Sequence, residues 1–221
     1  MTQNSRRQEA YLRRLVVMVK EPQAGRVKTR LARSLGAVAA VSFYRHATAA
    51  ILSRAVAPGC WRTILAVAPD TAARSRAWSH RIERRAQGRG DLGQRMQRLM
   101  DRLPPGPVVI IGSDSPDLRR EHIRAAFRAL GRHDAVLGPA PDGGYWLIGL
   151  KRLPRVLRPF KHVRWSTEHA AADTLFNLRS LRVARLCELP DIDQARDLAL
   201  TRGRFGRRVV GALSRGRENS G

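Results

Sequence analysis

The chain is poor in cysteine, lysine, acids, aromatics and long apolar runs, and each shortage excludes something. The two cysteines, Cys60 and Cys187, lie far apart with no CxxC pair. That excludes a disulfide framework and a zinc knuckle and makes a reducing cytosol the default setting. Both thiols read as small buried hydrophobes, not nucleophiles. No apolar run approaches the ~18 residues that a membrane helix needs. The opening MTQNSRRQEAYLRR lacks the apolar core of a signal peptide. Aromatic residues make up 5% of the chain, too few for a stacking platform for single-stranded nucleic acid. Acids number 18 against 42 basic residues, for a formal charge of +24. Only four of the 42 are lysines: Lys20, Lys28, Lys151 and Lys161. The arginines are spread along the chain from Arg6 to Arg217. This scatter fits solvated faces and attraction for anionic small molecules better than a nucleic-acid arm.

What is present is an ordinary globular balance. With 43% apolar and 27% charged residues, wholesale disorder is excluded. A length of 221 residues suits one sizeable core. Short apolar runs alternate with helical stretches. Leu15–Val19, Thr63–Ala68, Val108–Ile111, Ala135–Gly138, Tyr145–Leu150 and Leu181–Leu189 read as strands. The stretches 31–56, 92–103, 118–130, 167–178 and 194–200 read as helices. Such alternation predicts an α/β fold with a largely parallel sheet. The two strands flanking Gly143-Gly144 are spaced as an antiparallel hairpin, so the sheet is expected to be mixed. Residues 1–12 read as a flexible arm, 13–200 as a single domain and 201–221 as a basic tail.

Four segments carry chemistry. After the first strand, Lys20 to Leu31 spells KEPQAGRVKTRL. Gly25 permits a tight turn, and Lys28 and Arg30 follow near a helix start, which together make a phosphate site. Val27 stands where a Walker A loop needs glycine, so that motif is excluded. The third strand ends in Gly112-Ser113-Asp114-Ser115-Pro116-Asp117. Ligands of open α/β sheets bind at the carboxyl ends of strands. Asp114 therefore sits where a hard cation bridging a diphosphate needs an oxygen ligand. Asp117 is as well explained by capping a helix at Leu118. Pro141-Asp142-Gly143-Gly144-Tyr145-Trp146 is a hairpin turn whose glycines could let a ligand ring lie flat, walled by Tyr145 and Trp146. Last, Asp191 and Asp193 bracket Ile192 with period-two spacing, so both acids share one face of an extended segment. Either could complete a metal site begun by Asp114, and either could cap the helix that follows.

Other patterns carry less. Gly88-Arg89-Gly90-Asp91-Leu92-Gly93 matches GxGxxG, but the preceding HRIERRAQ is no buried strand. A capping box of Asp91 with Gln94 explains part of it. The six histidines show no metal-binding spacing, and there is no GxSxG elbow.

Together and in this order, LVVMVKEPQAGRVKTRLARSLG, GDLGQRM, VVIIGSDSPDL, DAVLGPAPDGGYWLIGL, VRWSTEH and LPDIDQARDLA resemble a known family. It is the GT-A-type transferases associated with radical-SAM/selenodomain proteins, often labelled arsenosugar-biosynthesis glycosyltransferases. They are themselves similar to phospholactate guanylyltransferase. The likeness spans nearly all of residues 15–200. It implies a nucleotide-diphospho-sugar transferase fold, a three-layer α/β/α sandwich with a mixed, mostly parallel sheet. By the same likeness, Gly25, Lys28, Thr29 and Arg30 fall on the phosphate-binding loop and Asp114 on the metal-binding acid. Asp142, Gly143 and Gly144, with Tyr145 beside them, fall on the substrate loop, and Gly90, Asp91 and Gly93 on a further binding motif. Asp191 and Asp193 fall on a late acidic motif, with Asp193 the expected second ligand for Mg2+ or Mn2+. At Ser115 the sequence departs from the family, where many relatives carry Cys or another small residue.

The expected function is metal-dependent transfer from a nucleotide-sugar donor to a small acceptor, with Lys28, Asp114 and Asp142 carrying the chemistry. Nucleotidyl transfer with release of pyrophosphate is the alternative, and the GxxKTR loop suits its triphosphate. A non-enzymatic nucleic-acid-binding module rests on charge alone.

Overall fold

The computed structural model describes residues 12–154 and 156–200. The proposed basic tail, and all of the proposed arm except Leu12, lie outside the described residues. Seven strands form one sheet: β1 (Arg14–Lys20), β2 (Arg62–Ala68), β3 (Glu83–Ala86), β4 (Val108–Ile111), β5 (Ala135–Pro139), β6 (Tyr145–Leu150) and β7 (Val183–Arg185). Their spatial order is β3-β2-β1-β4-β6-β5-β7. Among the described residues, only β6 runs antiparallel to its neighbours. The helices are α1 (Thr29–Leu35), α2 (Ala37–Ala55), α3 (Leu92–Arg102), α4 (Arg120–Ala129) and α5 (Ala170–Asn177).

Strand β1, with the run LVVMV, is rich in β-branched residues and is covered on both faces, as a parallel sheet between helical layers requires. Leu15, Val17 and Val19 point to one face, where they meet Ile51 and Leu52 of α2 and Ile123 and Phe127 of α4. Val16 points to the other, with Met96, Leu99 and Met100 of α3. Alternation along single strands thus builds two cores and three layers.

The sequence-derived elements differ from the structure at identifiable places. The helix expected over 31–56 is two helices, because Gly36 between them sits at φ 83°, a left-handed value that interrupts an α-helix. The helix expected at Leu118 starts at Arg120, and the Arg119 N–H is taken by His122 Nδ1 at 3.1 Å. Asp117 is therefore not the cap residue. The stretch 167–178 is helical over Ala170–Asn177, and the helix expected at 194–200 is a 3-10 segment, Ala195–Leu200. Of the expected strand 181–189, only Val183–Arg185 pairs in the sheet. Glu83–Ala86 does form a strand, but a half-buried edge one. Cys60 is half-buried and Cys187 exposed, so neither is a core residue.

Strand direction positions the site. β1, β2, β3, β4, β5 and β7 all point the same way. Hence the segments that leave β1, β3, β4, β5 and β7 emerge along one edge of the sheet. Those are the Gly25–Arg30, Gly88–Gly93, Ser113–Asp117, Asp142–Gly144 and Asp191–Asp193 stretches. Among the described residues, no helix is long and apolar enough to cross a membrane.

Candidate functional site

Apolar anchors set the charged groups. Ile192 is fully buried with Leu31 of α1 and with Ala40, Phe43 and Ala47 of α2. Its N–H donates to the Asp114 carbonyl at 3.0 Å. Sinking Ile192 turns Asp191 and Asp193 to the same side, as their spacing predicts. Val27 is buried against Val41 and Tyr44, which explains a valine where phosphate loops of the Walker type have glycine. Lys28 follows in left-handed conformation, φ 49° and ψ 45°, immediately before α1. Such a backbone costs a non-glycine residue ~1–2 kcal/mol, a strain that the contacts of its side chain offset.

Those contacts define the site. The Lys28 ammonium lies 2.6 Å from Asp114 Oδ1 and 2.9 Å from Asp193 Oδ1, and it also donates to the Ile192 carbonyl. Its side chain is 4% exposed, whereas those of Asp114 and Asp193 are 46% and 43% exposed. Burial alone would lower the Lys28 pKa, but the charges and hydrogen bonds of Asp114 and Asp193 outweigh it and push the group up to about 12. Arg30 Nη1 stands 3.8 Å from Asp193 Oδ2 and remains 60% exposed. The β1 loop and the two acidic strand exits therefore converge on one point.

Three residues missed in the sequence shape this edge of the sheet, two of them at the Lys28 contact. Tyr44 is buried beneath it; its hydroxyl accepts from the Lys20 N–H at 2.8 Å and lies 3.3 Å from Ser113 Oγ. It ties the end of β1 to the exit of β4. The signal was present in α2, where Ala40, Tyr44, Ala47 and Ile51 share the buried face. Asp197 Oδ2 accepts from the backbone N–H groups of Asp193 and Gln194, fixing the turn that presents Asp193. Trp165 packs on Gly93 and stands edge-on to Tyr145, 6.3 Å between ring centres.

The remaining candidates lie along the same edge of the sheet. Asp142 Oδ1 accepts from the Gly144 N–H at 2.9 Å, an Asx turn that shapes the hairpin. Gly143 meets the Glu168 backbone on the side where a Cβ would stand. Trp146 is buried against Gly138 and does not wall a cleft, and burial pushes the Tyr145 hydroxyl pKa up. Gly25 has open space above it. Thr29 starts α1. Asp91 makes the expected capping box with Gln94. With Gly93 it lines a groove of about 820 Å3 between α3 and the 158–165 segment, and Gly90 precedes it.

Asp191 is pushed up to about 6, first by burial, then by the charges of Asp142, Asp193 and Asp114. The folded chain holds this proton to near pH 6, whereas an unfolded chain releases it near pH 4. Stability therefore falls as pH rises across that window. Asp191→Asn is expected to add about 1–2 kcal/mol at pH 7, solvent screening included, and nothing near pH 4. Urea unfolding at the two pH values checks this; an equal gain at both contradicts it.

Among the described residues no group of three or more metal-ligating side chains closes on one point. A cation would thus rely on Asp114 and Asp193. Two carboxylates are what Mg2+ commonly takes when phosphate and water oxygens complete its shell. Both carboxylates face one position, the one that the Lys28 ammonium holds.

The charge excess has a structural use as well. Arg14, Arg54, Arg84, Arg98, Arg120 and Arg152 donate to main-chain carbonyls of loops and helix ends.

The fold is shared with solved proteins. A protein of Desulfovibrio desulfuricans G20, provisionally described as a nucleotide-diphospho-sugar transferase, is 29% identical, with a TM-score of 0.79 over 92% of this chain and 97% of that one. Rv0371c of Mycobacterium tuberculosis H37Rv, solved as a manganese complex, is 17% identical, with a TM-score of 0.52 over 90% and 98%. The 4-diphosphocytidyl-2C-methyl-D-erythritol synthase of Anaerococcus prevotii DSM 20548 is 10% identical, with a TM-score of 0.56 over 86% and 96%. The last two likenesses show the fold alone. No curated protein matches the chain. The family described as "Uncharacterized protein conserved in bacteria" (DUF2064) matches residues 51–167, just over half of the sequence, and the chain belongs to that family.

Proposed function

We propose that this transferase moves a glycosyl group from a nucleotide-sugar donor to a small acceptor, with a divalent cation at the donor's diphosphate. The observation that carries the reading is the meeting of Lys28, Asp114 and Asp193 at one point on the carboxyl edge of the sheet. Asp114 and Asp193 would hold Mg2+ or Mn2+, which neutralises charge on the leaving diphosphate. Lys28 and Arg30 bind phosphate oxygens and orient the donor. The acceptor hydroxyl attacks the anomeric carbon, the bond to the diphosphate oxygen breaks, and the nucleoside diphosphate leaves. Asp142 takes the hydroxyl proton as general base. Asp91 and Gly93, with Gly90 before them, offer the groove along α3 to another part of the substrate.

Nucleotidyl transfer is the second reading, favoured by the open Gly25 turn leading to Lys28, Thr29 and Arg30, a loop suited to clamping a triphosphate. An acceptor phosphate would then attack the α-phosphorus and displace pyrophosphate.

A melting-temperature screen of nucleotides and nucleotide sugars with and without Mn2+ tests both readings, because a ligand of the folded state raises the midpoint by mass action. A nucleotide is expected to raise it, more so with Mn2+, and this gain should vanish in Asp114→Asn. Products from the selected donor separate the two: nucleoside diphosphate means glycosyl transfer, free pyrophosphate means nucleotidyl transfer. A screen in which no nucleotide shifts the midpoint rejects both.

A further inference from the structure

We propose that Lys28 guards the cation position, so that a divalent cation enters only together with the donor's diphosphate. The inference rests on the reading of Asp114 and Asp193 as the cation-holding pair. A lysine ammonium has three protons to donate. Here they go to Asp114 Oδ1, Asp193 Oδ1 and the Ile192 carbonyl, three oxygens gathered around a small hard cation. The side chain is 4% exposed, and the apolar packing of Val27 and Ile192 holds the residues on either side of this contact. In the free protein the chain's own ammonium thus takes the part that a metal ion would play.

A bare divalent cation arriving here must expel that ammonium, which would then stand buried, unpaired and next to a second positive charge. A diphosphate removes both obstacles. Its oxygens give the ammonium new acceptors a short swing away on a flexible four-carbon stem, and its negative charge separates the two cations. Arg30, 3.8 Å from Asp193 and exposed, marks the direction in which phosphate oxygens would lie. Lys28 therefore changes partners when donor binds: acid-bound without diphosphate, phosphate-bound with it.

Neutralising the guard should open the position. Asp142 and Asp191 add their charges to those of Asp114 and Asp193, so a chain without the ammonium presents a strongly negative, partly exposed cluster. Lys28→Gln is expected to bind Mn2+ in the absence of nucleotide at least ~10-fold more tightly than wild type, as read from the loss of the free-ion EPR signal. Adding Asp114→Asn to that variant should abolish the gain. Lys28→Met, which keeps the apolar stem, is a second neutral variant should the glutamine fail to fold, and Lys28→Arg is expected to bind no better than wild type. A merely structural role for Lys28 would lower stability without raising metal affinity. If wild type binds Mn2+ at Asp114 as tightly as Lys28→Gln, the guarding role is overturned while the cation site stands. If no variant binds Mn2+ in a way that depends on Asp114, even with pyrophosphate added, the cation reading itself falls and takes this inference with it.

Discussion

Asp114→Asn is expected to reduce turnover by about 10²–10³-fold, the loss typical of removing one preorganised group that stabilises charge in a transition state. Asp114 stands at the exit of the buried strand β4, and its backbone is fixed by the hydrogen bond from Ile192. One charge contact at ~4 Å is worth roughly 4 kcal/mol at an effective dielectric near 20. Asparagine keeps the shape and removes the charge, so a cation and its diphosphate lose one of two anionic supports. Lys28 retains Asp193 and the Ile192 carbonyl, so the fold should survive. Steady-state rates with the donor chosen by the melting screen, alongside the melting temperature of the variant, check this. A variant that folds and turns over at the wild-type rate would remove Asp114 from the chemistry.

Gly143→Ala is expected to destabilise the fold by about 3 kcal/mol or more, enough to lower the melting temperature by roughly 6–12 °C in a chain of this size. Two causes add. Gly143 has φ +81°, where an alanine side chain is strained. A Cβ there would also stand 2.0 Å from the Glu168 carbonyl oxygen, and a backbone atom cannot swing aside as a side chain does. The Gly143 carbonyl accepts from the Ala171 N–H at 3.0 Å, so the hairpin and the start of α5 would be pushed apart together. Gly25→Ala is the contrast. Its φ is also positive, +76°, but nothing lies within 4 Å of the added Cβ. It should cost only ~1 kcal/mol. Thermal unfolding of both variants separates close approach from backbone strain; equal losses would contradict the packing argument.

Fold class and the carboxyl-edge placement of the acids were legible because they depend on strong, local patterns. VVII and LVVMV are buried on both sides of the sheet and leave little choice of state. Ile192 between two aspartates is an alternation that burial of the isoleucine enforces. The edge strand ERRA was not legible. Three of its four residues are charged and all are half-buried, and it forms through its ladder with β2, with Glu83 paired to Arg62 and Arg85. The break at Gly36 also escaped, since an alanine-rich run continues on both sides and only the left-handed φ of the glycine divides it.

At the site, residue types were readable but their partners were not. Sequence order puts Lys28 in a phosphate loop, whereas the fold brings its ammonium between two acids more than 80 and 160 residues away. That pairing follows from the packing of Val27 on Tyr44 and of Ile192 on Leu31, contacts across the chain that no local pattern announces. The close approach at Gly143 escaped for a similar reason. Gly143 is needed where the 165–169 segment crosses it, and that crossing is a tertiary event.

Anomalous diffraction at the manganese edge, from crystals of the wild-type protein grown with MnCl2 and inorganic pyrophosphate, addresses the convergence of these groups most directly. A single strong peak bonded to Asp114 and Asp193, with pyrophosphate on its far side and the Lys28 ammonium moved onto a phosphate oxygen, is the expected result. A manganese ion and pyrophosphate bound elsewhere, with Lys28 still joined to both aspartates, would contradict it.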